Sequence, residues 1–179
     1  MVYCCPFCGG VYDWDEIPVF DSKLVEWNLP GIWRYRHTFG LPGHAPAISL
    51  GEGDTPLVWD EVDGQPVAFK LEMLNPTGSF KDRGSALLAS FIKSRGVDEA
   101  VEDSSGNAGA SFAAYAARMG GKARIYIPAS ASGPKRTQIE VYGAEVFLIP
   151  GPRSQAEKAV RLAAAEGAAY ASHAYLPYN

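Results

Sequence analysis

From about residue 100 to residue 172 the chain repeats one pattern, a short apolar run, a glycine- or proline-marked break and a longer run of helix formers. A strand near Ala100–Asp103 leads through SSGNAG into a small-residue helix ending at about Met119. The strand ARIYIPA precedes a helix over about Pro134–Tyr142. AEVFLIP, a helix over about Ser154–Glu166 and AAYAS complete the series. Strands and helices alternating at this spacing imply right-handed βαβ crossovers. The expected fold class is therefore α/β, an open, mainly parallel sheet with helices on both faces.

The preceding residues have a different texture. Residues 1–47 are rich in Trp, Tyr, Pro and Gly and keep no helical or strand period, so they read as an irregular extension packed by its aromatics. A turn-rich segment, SLGEGDTPLVW, leads to a strand over Pro66–Leu71, and the run NPTGSFKDRG (75–84) then opens a helix over about Gly84–Ser94.

Composition excludes several functions. The 179 residues are 47% hydrophobic and 20% charged, with a net charge of -4 and no Lys/Arg cluster interleaved with aromatics, which gives no electrostatic reason to bind nucleic acid. No run approaches the roughly 20 apolar residues of a membrane span, and MVYCCPFCGG lacks the basic and apolar regions of a signal peptide, so a cytoplasmic location is expected. Cys4, Cys5 and Cys8, three thiols in one short segment, suit a reducing compartment.

Two motifs carry chemistry. Lys81 follows the Pro76/Gly78 turn and opens a helix, so its amine is pinned at a loop-to-helix junction beside the Phe80 ring. Partial desolvation there favours the neutral, nucleophilic amine that forms a Schiff base with an aldehyde. This makes Lys81 a candidate anchor for pyridoxal phosphate. SSGNAGAS (104–111) follows a strand and opens a helix, the place where open α/β sheets bind ligands. Gly106 permits close backbone approach, Asn107 is placed to cap the helix, and successive N–H groups suit an anion such as an amino-acid carboxylate.

NPTGSFKDRG and SSGNAGAS, with LGEGDTPLV upstream at 50–58, closely resemble the threonine synthase group of fold-type II pyridoxal-phosphate enzymes. The likeness spans residues 48 to about 172, and SFKDRG is the form typical of that group. The resemblance implies that Lys81 binds the cofactor and then serves as the base at the substrate alpha carbon. It makes Asn107 the partner of the cofactor's phenolic oxygen and places Phe80 beside the cofactor. Thr77, Gly78 and Ser79 would shape the substrate wall, and Ser104, Ser105 and Gly106 would hold the substrate carboxylate. The implied substrate is a small amino acid, O-phosphohomoserine, and the complete protein would be a homodimer. Residues 48–83 would belong with a larger domain and 84–179 would form a smaller open α/β domain.

The chain departs from the group's pattern in two ways. Ala171 stands where an Asn usually precedes Ser172, and SHAYLPYN supplies no arginine for the substrate phosphate. The group's glycine-rich phosphate loop and pyridine-pairing hydroxyl have no counterpart within these 179 residues. The expectation is thus an N-terminal fragment holding about half of a cofactor site and inactive alone. A dehydratase-like or beta-replacement enzyme, or a catalytically silent domain, is the alternative reading.

Other polar residues have plainer expected roles. Cys5 and Cys8 form one zinc knuckle, but no second CxxC exists and the spacing of His37 and His44 fits no common finger, so no metal site is expected. Glu52 and Asp54 read as turn residues, with Asp54 bonding its own backbone and Thr55 a minor substrate-site candidate. Asp82 and Arg83 read as a first-turn carboxylate and a structural ion pair. His173 has a positional argument for the substrate pocket. Lys135 and Arg136 read as a solvated helix start from which a long basic side chain can reach an anionic substrate group.

Overall fold

The structure, a computed structural model, describes residues 3–16, 18–172 and 174–178. The elements are β1 (Leu57–Val62), β2 (Gln65–Lys70), α1 (Lys81–Ser94), β3 (Glu99–Glu102), α2 (Asn107–Arg118), β4 (Lys122–Pro128), α3 (Pro134–Val141), β5 (Glu145–Ile149), α4 (Arg153–Ala165) and β6 (Ala169–Tyr170). The last four strands form one parallel sheet in the order β5-β4-β3-β6. β1 and β2 form a separate antiparallel hairpin with Leu57 opposite Lys70 and Val62 opposite Gln65.

Alternation along the parallel strands divides the core in two. Ala100, Ala123, Ile125, Ile127 and Ala169 join the side chains of α1, α2 and α3 on one face. Val101, Tyr126 and Tyr170 join Val160 and Ala163 of α4 on the other. This is the sheet, covered on both faces, that the strand–helix alternation predicts. The small residues of α2, from Ala108 to Ala116, are buried and let its backbone lie close against α1 and β4.

Strand order reverses at β3. The chain runs outward through β4 and β5, then α4 recrosses on the opposite face to place β6 on β3's free side. Such a switch point leaves a crevice at the carboxyl ends of the strands. Residues 103–106 lie at that end of β3.

Three differences from the sequence reading stand out. β1 is a full strand, its hairpin turn supplied by Asp63 and Gly64 at φ 51° and 74°. α1 begins at Lys81 rather than near Gly84, so the lysine is the first residue of the helix. In the N-terminal segment, Gly31–Thr38 forms a 3-10 helix whose Ile32 and Trp33 enter the main core. The aromatics do pack this segment down: Tyr3 stands edge-on to Tyr170 and Trp14 edge-on to Tyr178.

Candidate functional site

The loop before α1 is shaped by one buried carboxylate. Asp82 is 0% exposed and accepts hydrogen bonds from Thr77 N (2.6 Å), from the Thr77 hydroxyl and from Ser111 Oγ (2.6 Å). Asp82 does lie in the first turn of α1, as the sequence reading has it, and there its oxygens are also occupied by hydroxyl and amide donors. Arg83 does form an ion pair, with Glu72, donating to both of its carboxylate oxygens at 2.8 and 2.9 Å. Those hydrogen bonds hold the Glu72 carboxyl down at about 2, against an ordinary value of 4.5. Thr55, buried, donates to Glu72 and accepts from Arg83, so its hydroxyl belongs to this network.

Beyond the anchored Thr77, Gly78 and Phe80 are exposed while Ser79 between them is buried. Gly78 takes φ 83°, in the left-handed region that glycine adopts without strain. Phe80 is 55% exposed, and the half-buried Lys81 places Nζ 5.0 Å from the centre of its ring. Among the described residues Lys81 has no carboxylate partner. Ser79 is buried, yet among the described residues its Oγ has no hydrogen-bond partner.

The second predicted segment sits at the end of β3. Ser104 is buried, Ser105 and Gly106 are half-buried, and Asn107 is exposed. Gly106, not Asn107, is the N-cap residue, and no side chain caps α2, so the Asn107 amide is not engaged as the sequence reading expected. The turn is held from below. Ser104 N donates to Glu102 Oε2, and Gly106 N donates to Ser104 Oγ at 3.2 Å. A Cβ on Gly109 would stand 1.9 Å from Ser104 O, so only glycine lets the turn fold onto the first turn of α2. Asp103 accepts from Tyr170 Oη at 2.8 Å, and burial with the neighbouring carboxylate raises the Tyr170 phenol well above its ordinary value.

Asp82 joins the two segments. Ser111, its partner, lies one turn beyond Asn107, and Lys81 precedes Asp82, so one 2.6 Å contact ties the roots of the lysine and the asparagine together. Sequence reasoning missed this tie. It also missed a second one from α3: Gln138 Nε2 donates to Thr77 O at 3.0 Å, and Lys135 Nζ reaches the same carbonyl at 3.3 Å while donating to Gln138 Oε1 at 2.9 Å. Lys135 is thus half-buried against the lysine loop rather than at a solvated helix start. Arg136 faces outward and pairs with Glu140.

The acidic turn residues also have long-range partners. Glu52 is 0% exposed and accepts from Trp33 Nε1 (2.8 Å), Tyr115 Oη (2.6 Å), Ser49 Oγ and Leu50 N. Asp54 accepts from Gly31 N and Arg34, which corrects the expectation that it bonds its own backbone.

The remaining candidates lie elsewhere. Backbone N–H groups of Cys8 and Phe7 lower the Cys5 thiol, and Gly10 N lies 3.4 Å from Cys8 Sγ, a knuckle turn made possible by Gly9 at φ 69°. His37 Nε2 accepts from Asp21 N, and His44 approaches Ser94 O. Among the described residues no three His, Cys, Asp or Glu side chains gather in a way that would hold a metal ion. His173 lies outside the described residues. An apolar cleft of about 660 Å³ runs between the N-terminal segment and α1, bordered by Phe20, Ile32, Phe39, Leu87 and Tyr178. None of the residues predicted to bind cofactor or substrate borders it.

A lysine that opens a helix is thus tied, through Asp82 and Ser111, to a serine- and glycine-bearing turn at a strand end of a parallel α/β sheet. The chain belongs to the pyridoxal-phosphate dependent enzyme family, whose profile matches residues 48–179. It is 34% identical over 191 residues to a threonine synthase of Methanocaldococcus jannaschii, covering 100% of this chain and 47% of that protein. A threonine synthase from a Bacillus species is 44% identical over 126 residues, 68% of this chain and 36% of the relative. The chain spans about half the length, or less, of the curated relatives it matches.

Solved structures agree on the fold. A hydrogen sulfide-producing enzyme from Fusobacterium nucleatum superposes with a TM-score of 0.60 at 28% identity, covering 67% of this chain and 42% of that one. An O-acetylserine dependent cystathionine beta-synthase from Helicobacter pylori gives 0.58 at 27%, covering 73% and 44%. No helix among the described residues is long and apolar enough to cross a membrane.

Proposed function

We propose that this chain carries the lysine-bearing part of the active site of a threonine synthase-type lyase, which converts O-phosphohomoserine and water to threonine and phosphate. The supporting observation is the junction of Lys81 with the 104–107 turn through Asp82 and Ser111. Among the described residues, a half-buried amine with no carboxylate partner, a buried Ser79 hydroxyl with no partner and an exposed amide at Asn107 are groups available to a ligand, and they fit an anionic aldehyde cofactor. Pyridoxal phosphate, when bound, supplies an electron sink for charge developing at the substrate alpha carbon.

The chain's own residues then divide the work. Lys81 Nζ would hold the cofactor and, as a free amine, would take and return the proton at the substrate alpha carbon. Asn107 would bind the cofactor's phenolic oxygen, and Phe80 would flank it. Ser104, Ser105 and Gly106 would bind the substrate carboxylate through hydroxyl and N–H donors, while Thr77, Gly78 and Ser79 form the adjoining wall. In this reading residues 1–47 are an extension, 48–83 pair with a larger domain, and 84–179 are the smaller one. We further propose that the chain is not competent alone and that the complete enzyme is a cytoplasmic homodimer.

Two measurements test the reading. Pyridoxal phosphate added to the complete enzyme should give the visible absorption of a lysine-bound cofactor that Lys81→Ala abolishes, whereas a stable band in the 179-residue chain would contradict the half-site reading. Phosphate release from O-phosphohomoserine by the complete enzyme tests the substrate. Activity on serine or threonine without any phosphate release would overturn the threonine synthase assignment in favour of a dehydratase-like enzyme.

A further inference from the structure

The cations around the lysine loop are not equivalent. Arg83 is bound by Glu72 through two hydrogen bonds, and Arg153, on α4, is turned toward Asp103 at 3.9 Å. Residues 171–179 contain no lysine or arginine at all. Lys135 differs from both arginines. Among the described residues its ammonium has no carboxylate partner, and its two acceptors, Thr77 O and Gln138 Oε1, are neutral.

Its hold on Thr77 is also redundant. Gln138 Nε2 donates to the same carbonyl at 3.0 Å, against 3.3 Å for Lys135 Nζ, so the loop stays fastened to α3 if Lys135 turns away. An ammonium has three donors, and two acceptors leave one free. The location is right for a ligand. α3 follows β4 at the carboxyl edge of the sheet, where residues 104–107 also lie, and Ile139 of α3 lies beside Gly109 at the start of α2. Two residues from Thr77 in the same loop is Ser79, about 95% buried, with its hydroxyl unpartnered among the described residues.

We propose that Lys135 is the specificity-determining cation of this site, binding the phosphoryl group at the far end of the substrate, with the Ser79 hydroxyl as a second donor. The proposal rests on the lyase reading above. A half-buried, uncompensated ammonium beside a wall of neutral groups selects a substrate carrying a distal negative charge, and a phosphate monoester supplies two charges and several acceptor oxygens. The cofactor's own phosphate has the same chemistry, so the test must separate the two sources.

The experiment measures binding of inorganic phosphate, O-phosphohomoserine and homoserine to the complete enzyme, free of pyridoxal phosphate, by calorimetry, for wild type, Lys135→Met, Lys135→Arg and Gln138→Leu. Wild type should bind O-phosphohomoserine in preference to homoserine. Lys135→Met should weaken phosphate and O-phosphohomoserine by about 10- to 100-fold, the scale of one lost charge-assisted hydrogen bond, and leave homoserine unchanged. Lys135→Arg should restore most of the loss. Gln138→Leu, which removes the better Thr77 donor and no charge, should leave phosphate binding nearly intact; a loss equal to that of Lys135→Met would make Lys135 a mere loop fastener and overturn the proposal.

Further outcomes are decisive. Equal phosphate binding by wild type and a folded Lys135→Met, or none by wild type, overturns it. So does a Lys135→Met variant that loses only its preference for pyridoxal phosphate over pyridoxal in forming the Lys81 absorption band, because the cation then serves the cofactor. Loss of phosphate binding in Lys135→Met together with no turnover of O-phosphohomoserine by the complete enzyme leaves the anion site standing and sinks the threonine synthase reading instead.

Discussion

The parallel sheet and the β1–β2 hairpin are built on opposite principles, and Lys81 stands between them. In the sheet, Ala100, Val101, Ile125 and Ile127 are 0% exposed, because helices cover both faces. In the hairpin, Leu57, Trp59 and Phe69 are 54%, 67% and 42% exposed, and what organises the pair locally is a two-residue turn. A free-standing hairpin of this kind is marginal in water. The lysine loop is therefore fastened to the buried side, through Asp82 and Ser111, while its other end leads back to the exposed hairpin through Glu72 and Lys70. The position of the amine is set by the part of the molecule that does not yield.

The most severe way to break that arrangement is at Asp82. Asp82→Ala leaves the buried Thr77 N–H without an acceptor and removes three hydrogen bonds to a carboxylate, so a loss of about 3 kcal/mol or more is expected in denaturant unfolding. A loss below about 1 kcal/mol would show that the loop is held elsewhere. Gly109→Ala should come next. Helix propensity alone favours alanine by up to about 1 kcal/mol. The new Cβ, however, meets the backbone oxygen of Ser104, which no rotamer can relieve, and overpacking costs about 1–3 kcal/mol. The net effect should be destabilising, with a matching loss of the pyridoxal phosphate absorption band as the 104–107 turn is displaced.

The two regions were also unequally legible in the sequence. The sheet and its helices follow from the alternation of apolar runs, because burial on both faces leaves continuous patterns such as RIYIP. The hairpin's second strand was readable, but LVWDEV was not, since its acidic residues break the apolar pattern. The overlooked signal was Asp63-Gly64, the dipeptide most suited to a two-residue hairpin turn. Lys81 and the SSGN turn announce themselves through local spacing. Asp82 and Glu52 do not, because their donors come from distant segments: Ser111 is 29 residues from Asp82, and Tyr115 is 63 from Glu52. A carboxylate buried by distant hydroxyls looks, in sequence, like a solvated one. Lys135 was visible as a long basic residue at a helix start, but its approach to Thr77 depends on the packing of α3.

At the boundary between the regions, the Glu72–Arg83 pair should show up as pH dependence. Folding lowers the Glu72 carboxyl from 4.5 to about 2, chiefly through the Arg83 hydrogen bonds. Its contribution is therefore complete above the unfolded value and is lost as pH falls from about 4.5 toward 2. Glu72→Gln should flatten the acid limb of the stability curve in that window and leave the limb above it unchanged in slope. An unaltered acid limb would mean that other carboxylates carry the acid sensitivity.

The smallest effect sharpens the comparison most. Gly64 has φ 74° and open space where a Cβ would be, so Gly64→Ala meets no neighbour and strains only the backbone, by about 1–2 kcal/mol within the turn. If the hairpin is held locally, that strain should appear as faster amide exchange across Leu57–Lys70. The unfolding midpoint of the sheet should move by no more than the equivalent of about 0.5 kcal/mol. Were the midpoint to fall by the full cost of the turn, the hairpin would have to unfold together with the sheet. The contrast between a locally closed hairpin and a packed sheet would then describe two parts of a single cooperative unit.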